Sequence, residues 1–212
     1  AVDAAPLGEV STGDSFAVSF DNCMLDPSST INGGIVIDFN TITGDWQVDD
    51  TWEVDIGFAI NSLTFSSGPV TGFFDGNWNQ NATYDTGDAA YSLTGEFTTS
   101  VNDGSGWQTA ALNGLSLDWS YDALAAEATC SIDAQFASTQ LGGAVTLTTL
   151  TPFVIQDGAP NPHAGSVRAT GAAGTTLTFT VLDDTFVRLD VDEDGDGTDD
   201  FSVTTTWFEL EE

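Results

Sequence analysis

The sequence predicts an all-β protein, built as an antiparallel β-sandwich or a partly closed barrel, and two observations favour this class. Apolar and polar residues alternate with period two in many stretches, which is typical of strands with one buried and one solvated face. Turn-forming clusters such as TGD, SSGP, NDGSG and GAAG separate these stretches. Only the segment at 121–129, YDALAAEAT, has a helix-like composition, and it carries no apolar stripe.

The predicted strands follow from these alternations in chain order. FAVSF places Phe16, Val18 and Phe20 on one face, and GIVIDFN continues the pattern at 34–40. TWEVDIGFAI, at 51–60, alternates five apolar side chains with polar or small ones. LTFTVL, VRLDV and FSVTTTW follow near the C-terminus, and the last two predict a β-hairpin.

Glycines stand just before alternating runs in five stretches: TINGGIVIDF, PVTGFFDGNW, YSLTGEFTTS, ALNGLSLDWS and QLGGAVTLTT. We expect these glycines to mark a bulge or bend at the start of each strand. Their spacing is uneven, which favours a meander of antiparallel strands over a solenoid.

A domain boundary is predicted in TPFVIQDGAPNPHAG, at 151–165, where three prolines and two glycines interrupt the alternation. We therefore expect residues 1–155 to form an antiparallel β domain. Residues 156–212 would form a β sub-domain packed on it, because so short a segment buries little core alone.

The composition indicates an exported protein. The 212 residues include 33 acidic ones but only two arginines and no lysine, for a net charge of -31. Such a surface attracts cations and repels nucleic acid and anionic lipid headgroups. The chain begins with AVDAAPLGEV, which is typical of an end left by signal peptidase, and no apolar run predicts a transmembrane helix. We expect an extracellular or cell-surface location, while a lipid anchor stays open.

Two cysteines, Cys23 and Cys130, lack the spacing of a metal site. In an exported protein the expected use is one disulfide, which would contribute about 4–5 kcal/mol in the chain-entropy model. Two buried free thiols are the alternative.

The segment DVDEDGDGTDD, at 190–200, predicts a calcium site. Ca²⁺ takes six to eight oxygen ligands, and side chains at alternate positions of a tight loop can converge on one ion. Gly197 permits the sharp turn, and Asp190 and Asp199 are candidates for supporting roles. The predicted ligands are Asp192, Asp194, Asp196, the carbonyl of Thr198, and Asp200.

This nine-residue pattern resembles the calcium loops of EF-hands, dockerins and thrombospondin type 3 repeats. A full EF-hand loop has Glu at its twelfth position, where this chain has Val203, and its flanks are helices rather than the strands predicted here. A calcium loop at a hairpin tip, completed by water or a distant ligand, is therefore the expectation. A solvated acidic loop is the alternative.

The C-terminal block, from GSVRATGAAG through VRLDVDEDGDGTDD to TTTWFEL, resembles uncharacterised secreted or lipid-anchored β-rich envelope proteins of Gram-negative bacteria. The resemblance implies export and a β fold. It implies no activity.

The residues of common catalytic sites are scarce. His163 is the single histidine, and no nucleophile elbow, phosphate loop or dinucleotide fingerprint occurs. We expect no enzyme activity. Aromatic side chains beside carboxylates leave a glycan-binding role open, and the six tryptophans are Trp46, Trp52, Trp78, Trp107, Trp119 and Trp207.

Two functions are weighed. The first is a non-enzymatic, calcium-stabilised surface or matrix protein, whose strand with Phe16, Val18 and Phe20 would complete the sheet of a neighbouring copy in a fibre. The second is a carbohydrate-binding module or a glycan-acting enzyme that uses exposed tryptophans and carboxylates.

Overall fold

The computed structural model describes residues 10–45 and 48–210. In these ranges the chain forms twelve strands in one antiparallel sheet, and their order in the sheet equals their order in the sequence. The predicted all-β antiparallel class is confirmed. The sheet is a meander of hairpins, because each strand pairs with the strands just before and after it in the chain.

The first eight strands are long, from 12 to 17 residues each. They are β1 (Ser15–Asp26), β2 (Ser29–Thr43), β3 (Thr51–Ser67), β4 (Val70–Asp85), β5 (Asp88–Asn102), β6 (Trp107–Asp122), β7 (Glu127–Ser138) and β8 (Gly143–Gln156).

The last four strands are short, with 6 or 7 residues each. They are β9 (Ala164–Thr170), β10 (Thr176–Val181), β11 (Phe186–Asp192) and β12 (Phe201–Thr206). A 3-10 turn at Ala172–Gly174 connects β9 to β10, and the short helix α1 (Trp207–Leu210) follows β12.

The described strands form a single open sheet rather than two facing sheets. Its outermost strands, β1 and β12, are not paired with each other. Short turns connect neighbouring strands, so no strand crosses over to build a second layer. No helix in the described ranges is long and apolar enough to cross a membrane.

The register divides the sheet into two chemically different faces, since residues directly opposite each other share a face. Ile37 lies opposite Phe16 and Phe58, and Phe58 lies opposite Trp78. We call this side the apolar face. From β2 to β7 it includes Ile35, Ile37, Phe39, Val54, Ile56, Phe58, Trp78, Tyr91, Leu93, Phe97, Leu117, Trp119, Cys130 and Ile132.

The opposite side, which we call the polar face, carries the strand carboxylates. Asp38 lies opposite Gly57, and Asp55 lies opposite Asn81. Asparagine amides donate to two strand carboxylates: Asn40 Nδ2 lies 2.8 Å from Asp55 Oδ1, and Asn81 Nδ2 lies 3.1 Å from a Glu53 oxygen. Neutral donors therefore satisfy carboxylates in a chain with almost no cations.

Deep burial is concentrated near the C-terminus. Val187 is 0% and Val181 6% exposed, while Ala128 and Ala134 are the other buried apolar residues among those described. The ring of Phe179 packs on Trp207 of α1 at a centroid distance of 5.4 Å. The C-terminal strands therefore have a small core of their own.

Two of the five glycine stretches carry the predicted bulge, and in both it lies inside a strand rather than at its start. Gly33, with a φ of 113°, lies at a register shift within β2, and Gly114, with a φ of 56°, lies at one within β6. Both backbone conformations are ones that glycine adopts readily. Each of these strands begins several residues N-terminal to its glycine, so the glycine lies within the strand although it precedes the alternating stretch.

The predicted domain boundary falls at the end of β8. Strand β9 nevertheless pairs with β8, so the sheet continues across the loop at 157–163. The two-domain division stays a prediction, and in the described residues the two parts share one sheet.

The predicted disulfide between Cys23 and Cys130 is wrong, because both cysteines are free. Cys23 lies in β1 and Cys130 in β7, six strand-to-strand steps apart. At about 4.8 Å per step, the separation along the sheet is on the order of 29 Å. A disulfide needs Cα atoms within about 7 Å of each other.

Candidate metal centre in the β11–β12 hairpin

The acidic segment forms the tip of a hairpin, as predicted. Val191 of β11 lies opposite Phe201 of β12, and the Asp200 amide donates to the Val191 carbonyl at 2.7 Å. Strands therefore hold both ends of the loop at 193–200, which carries most of the acidic segment.

Three of the predicted ligands come together at this tip. One carboxylate oxygen from each of Asp192, Asp194 and Asp200 lies within 4.8 Å of the other two. Two oxygens bound to one Ca²⁺ at 2.3–2.6 Å are at most about 5.2 Å apart. The three oxygens are thus close enough to share one ion of that size.

Backbone amides hold the carboxylates in this arrangement. The two oxygens of Asp192 accept from the amides of Gly195 at 2.7 Å and Gly197 at 2.9 Å. Asp200 Oδ2 accepts from the Glu193 amide at 2.6 Å. A carboxylate oxygen has more than one lone pair, so these bonds leave capacity for a cation.

Backbone conformation favours glycine at both glycine positions of the segment, and at one of them a close contact also excludes a side chain. Gly195 and Gly197 both have positive φ values, 74° and 88°. A side chain at Gly195 would also collide with the carbonyl oxygen of Ala173, in the turn between β9 and β10. The hairpin tip therefore rests on this turn, a contact that the loop pattern alone does not reveal.

Asp192 differs from the other two carboxylates in its burial. It is only 3% exposed, whereas Asp194 and Asp200 are exposed. The buried carboxylate anchors the loop through its two amide bonds. The exposed pair forms the side of the group that faces solvent, from which an ion and its waters would approach.

The remaining predicted ligands are not part of this group of three. Asp196 Oδ1 accepts from the Thr198 amide at 2.7 Å, and both residues are exposed, as is Asp199. Their roles as ligands stay predictions.

Asp190 is directed to a different set of partners. It is 7% exposed, and its oxygens accept from Ser202 Oγ at 2.6 Å and Arg188 Nε at 2.8 Å. Burial raises the pKa of Asp190. The hydrogen bonds from Ser202 and Arg188, together with the charge of Arg188, lower the pKa by more than burial raises it, so the net shift is downward. Asp190 therefore ties β11 to β12 rather than joining the three aspartates.

The tip is electrostatically one-sided. Seven of the eleven residues at 190–200 are acidic. Arg188, the nearest cation in the sequence, is bonded to Asp190. Repulsion among the other carboxylates is the cost that a bound cation would remove.

The predicted donor strand lies in its own chain's sheet. Phe16 and Val18 of β1 pair with Ile37 and Ile35 of β2, and Phe20 pairs with Gly33. Among the described strands, β1 is an edge strand with one hydrogen-bonded neighbour, β2. Exchange of this strand between copies stays a prediction.

The tryptophans of the described residues mostly pack against other rings. Trp78 stacks on Phe58 at 5.0 Å, and Trp52 stacks on Tyr84 at 6.1 Å. Trp107 is the exposed one, at 55%, and Trp46 lies outside the described residues. A glycan-binding role for these residues stays a prediction.

Comparison with known proteins finds no matching family model, no matching curated protein and no matching solved structure.

Proposed function

We propose that this protein is a non-enzymatic structural protein of the cell exterior, stabilised by Ca²⁺ at the tip of the β11–β12 hairpin. The observation that carries the proposal is the convergence of Asp192, Asp194 and Asp200, with oxygens within 4.8 Å of one another. The ion would bind to a loop whose position is already set by β11, β12 and the turn at 172–174.

Calcium fits this site better than other common cations. The group offers only oxygen ligands, which suit hard cations rather than zinc or copper. Mg²⁺ requires a near-ideal octahedron at 2.0–2.1 Å, whereas Ca²⁺ accepts longer and less regular bonds. Three carboxylates spread over 4.8 Å favour the larger ion, with waters or a loop carbonyl completing its shell.

The proposed location follows from affinity. A partly exposed site with three carboxylates is comparable to extracellular calcium modules, which bind with dissociation constants of about 0.1–1 mM. Such a site is filled outside a cell rather than in its cytosol. The net charge of -31 agrees with a salty exterior, where charge repulsion is screened.

The stabilising effect has a simple physical origin. Two like charges 5 Å apart repel by about 0.8 kcal/mol even in bulk water, and several such pairs meet at this tip. A cation that binds only the folded loop reverses these terms. At a concentration 100 times the dissociation constant it stabilises the fold by about 2.7 kcal/mol.

The test is thermal unfolding in 10 mM CaCl₂ and in EDTA at matched ionic strength. With dissociation constants of about 0.1–1 mM, 10 mM Ca²⁺ contributes about 1.4–2.7 kcal/mol. At about 2–4 °C per kcal/mol in a chain of this size, we expect Tm to rise by roughly 3–10 °C. Mg²⁺ should produce a smaller shift. Asp194→Ala should abolish most of the calcium shift.

The control is Asp103→Ala. Asp103 is an exposed carboxylate in the β5–β6 turn that accepts from the Ser105 amide at 2.9 Å. Its removal changes net charge by the same amount and should leave the calcium shift intact. An equal Tm in Ca²⁺ and EDTA would contradict the proposal. So would an equal reduction of the calcium-induced Tm shift in Asp194→Ala and Asp103→Ala.

A further inference from the structure

The apolar face of the sheet lacks carboxylates over seven strands. All strand carboxylates within β2–β8 away from the turns lie on the polar face by register, and they are Asp38, Glu53, Asp55, Asp75, Glu96, Asp118 and Asp133. In a chain with 33 acidic residues, this segregation leaves a continuous uncharged surface.

No element of the described chain covers this surface. Every extensive contact between strands joins sheet neighbours, and α1 contacts only the C-terminal end. In β2–β8, apolar-face side chains such as Ile37, Phe58 and Leu117 are only half-buried, and Phe136 is exposed. A sheet usually buries such a face against a second layer.

The exposed area is larger than a compact monomer would have. The chain exposes 12766 Å², whereas a folded monomer of 22.2 kDa exposes about 9,400 Å². Thirteen fully extended residues expose about 2,000 Å² at most. After this largest possible share of the thirteen residues outside the described ranges is subtracted, an excess of about 1,400 Å² per chain remains.

This excess matches what a stable dimer buries. Two chains that each lose about 1,400 Å² would bury about 2,800 Å² in total, within the 2,000–5,000 Å² of obligate homodimers. A pocket of about 240 Å³ on this face, lined by apolar residues such as Trp78, Leu93 and Leu115 and also by Gln80 and Glu96, would accept a side chain from the facing copy.

The charge distribution also favours a second copy in one orientation. When two apolar faces meet, the polar faces with their carboxylates point away from each other into solvent. Facing sheets lie about 10 Å apart, so the two sets of carboxylates are separated by more than a Debye length at physiological salt. The opposite orientation would bring together carboxylates whose hydrogen-bond donors are neutral, such as Asp55 and Glu53.

We propose that a second copy of this chain covers the apolar face and forms a closed, face-to-face dimer. The β-sandwich that the sequence predicts would then form between two chains, with one sheet from each. The interface is isologous, so association stops at two copies.

The test is the mass of the full chain in 150 mM NaCl, by sedimentation velocity and light scattering across a hundredfold concentration range. We expect about 44 kDa, twice the 22.2 kDa chain. Dissociation should appear, if at all, at the lowest concentrations. A tenfold increase in concentration should raise Tm, because unfolding is coupled to dissociation.

Two adjacent residues of β2 provide matched variants. Ile37 lies on the apolar face and Val36 on the polar face, and both are half-buried. Ile37→Asp should lower dimer affinity at least a hundredfold, whereas Val36→Asp should leave it unchanged. If Ile37→Asp does not fold, the concentration dependence of Tm in the unmodified chain still decides the matter.

Three results would overturn the proposal. One is a monomer whose Tm is independent of concentration. Another is a monomer that binds neutral detergent or phosphatidylcholine vesicles through the apolar face, since an amphiphile would then be its occupant. The third is an open series of oligomers, which would indicate exchange of an edge strand instead.

Discussion

The C-terminal strands β9–β12 and the long strands β2–β8 bury their side chains in different ways. Val181, Val187, Asp190 and Asp192 are all buried in the C-terminal region, although its strands have at most 7 residues. In β2–β8, two alanines are the only buried apolar residues. Short strands are thus fixed by a small core and polar anchors, while long ones rely on cross-strand pairs and leave a face to be covered.

The largest difference is expected on truncating valines in the two regions. Val187 is fully buried in β11, and Val36 is half-buried on the polar face of β2. Val187→Ala should lower the free energy of unfolding by about 2–3 kcal/mol, and Val36→Ala by less than about 1 kcal/mol. Urea denaturation measures both, and similar losses would remove the contrast between the regions.

A smaller effect is expected from the buried anchor of the loop in the absence of calcium. Asp192→Ala leaves two loop amides without their acceptor, which should cost about 1–3 kcal/mol in EDTA. Asp75 accepts from the Ser62 amide in the half-buried long-strand region, so Asp75→Ala should cost less. Chemical denaturation in EDTA checks the order, and the reverse order would contradict the anchor role.

The Asp190 contacts predict a pH dependence. The folded-state pKa of this carboxyl lies below its ordinary value. Its contribution to stability should therefore be present above about pH 4 and fade as the pH falls through the folded-state pKa. Asp190→Asn should be less stable than the unmodified chain at pH 7, and the gap should narrow below pH 4 in EDTA. A gap that widens on acidification would have the wrong sign.

The smallest effect concerns the thiols. Burial, followed by the nearby charge of Asp118, raises the pKa of Cys130, which keeps it protonated and slow to react. Cys23 is exposed at the sheet edge. A disulfide-exchange reagent should find one fast and one slow thiol, and reducing agent should not change Tm. If unfolded, unreduced protein contained no reactive thiol, the two cysteines would be bonded to each other and this prediction would be wrong.

Period-two alternation was sufficient to predict the class of fold, but not the lengths of the strands. A bulge changes which face each later residue occupies, so the alternation breaks while hydrogen bonding continues. Gly33 and Gly114 do this inside β2 and β6, and Ser62, with a φ of 51°, lies at another shift in β3. The sequence therefore indicates shorter strands than those that form.

The candidate site was predictable where its geometry is local. The spacing of Asp192, Asp194 and Asp200 within one tight loop is a property of the chain alone. The turn of Asp190 toward Ser202 depends on pairing with β12, and the contact of Gly195 with Ala173 depends on the neighbouring turn. Likewise, the number of cysteines led to the prediction of a disulfide between Cys23 and Cys130. It contained no information on the distance between β1 and β7, which keeps the two thiols apart.

Isothermal titration calorimetry of CaCl₂ into calcium-free protein tests the central claim most directly. We predict one saturable site per chain with a dissociation constant of about 1 mM or below, absent in Asp194→Ala and retained in Asp103→Ala. No saturable heat in the unmodified chain, or the same binding in Asp194→Ala, would contradict a calcium site at the hairpin tip.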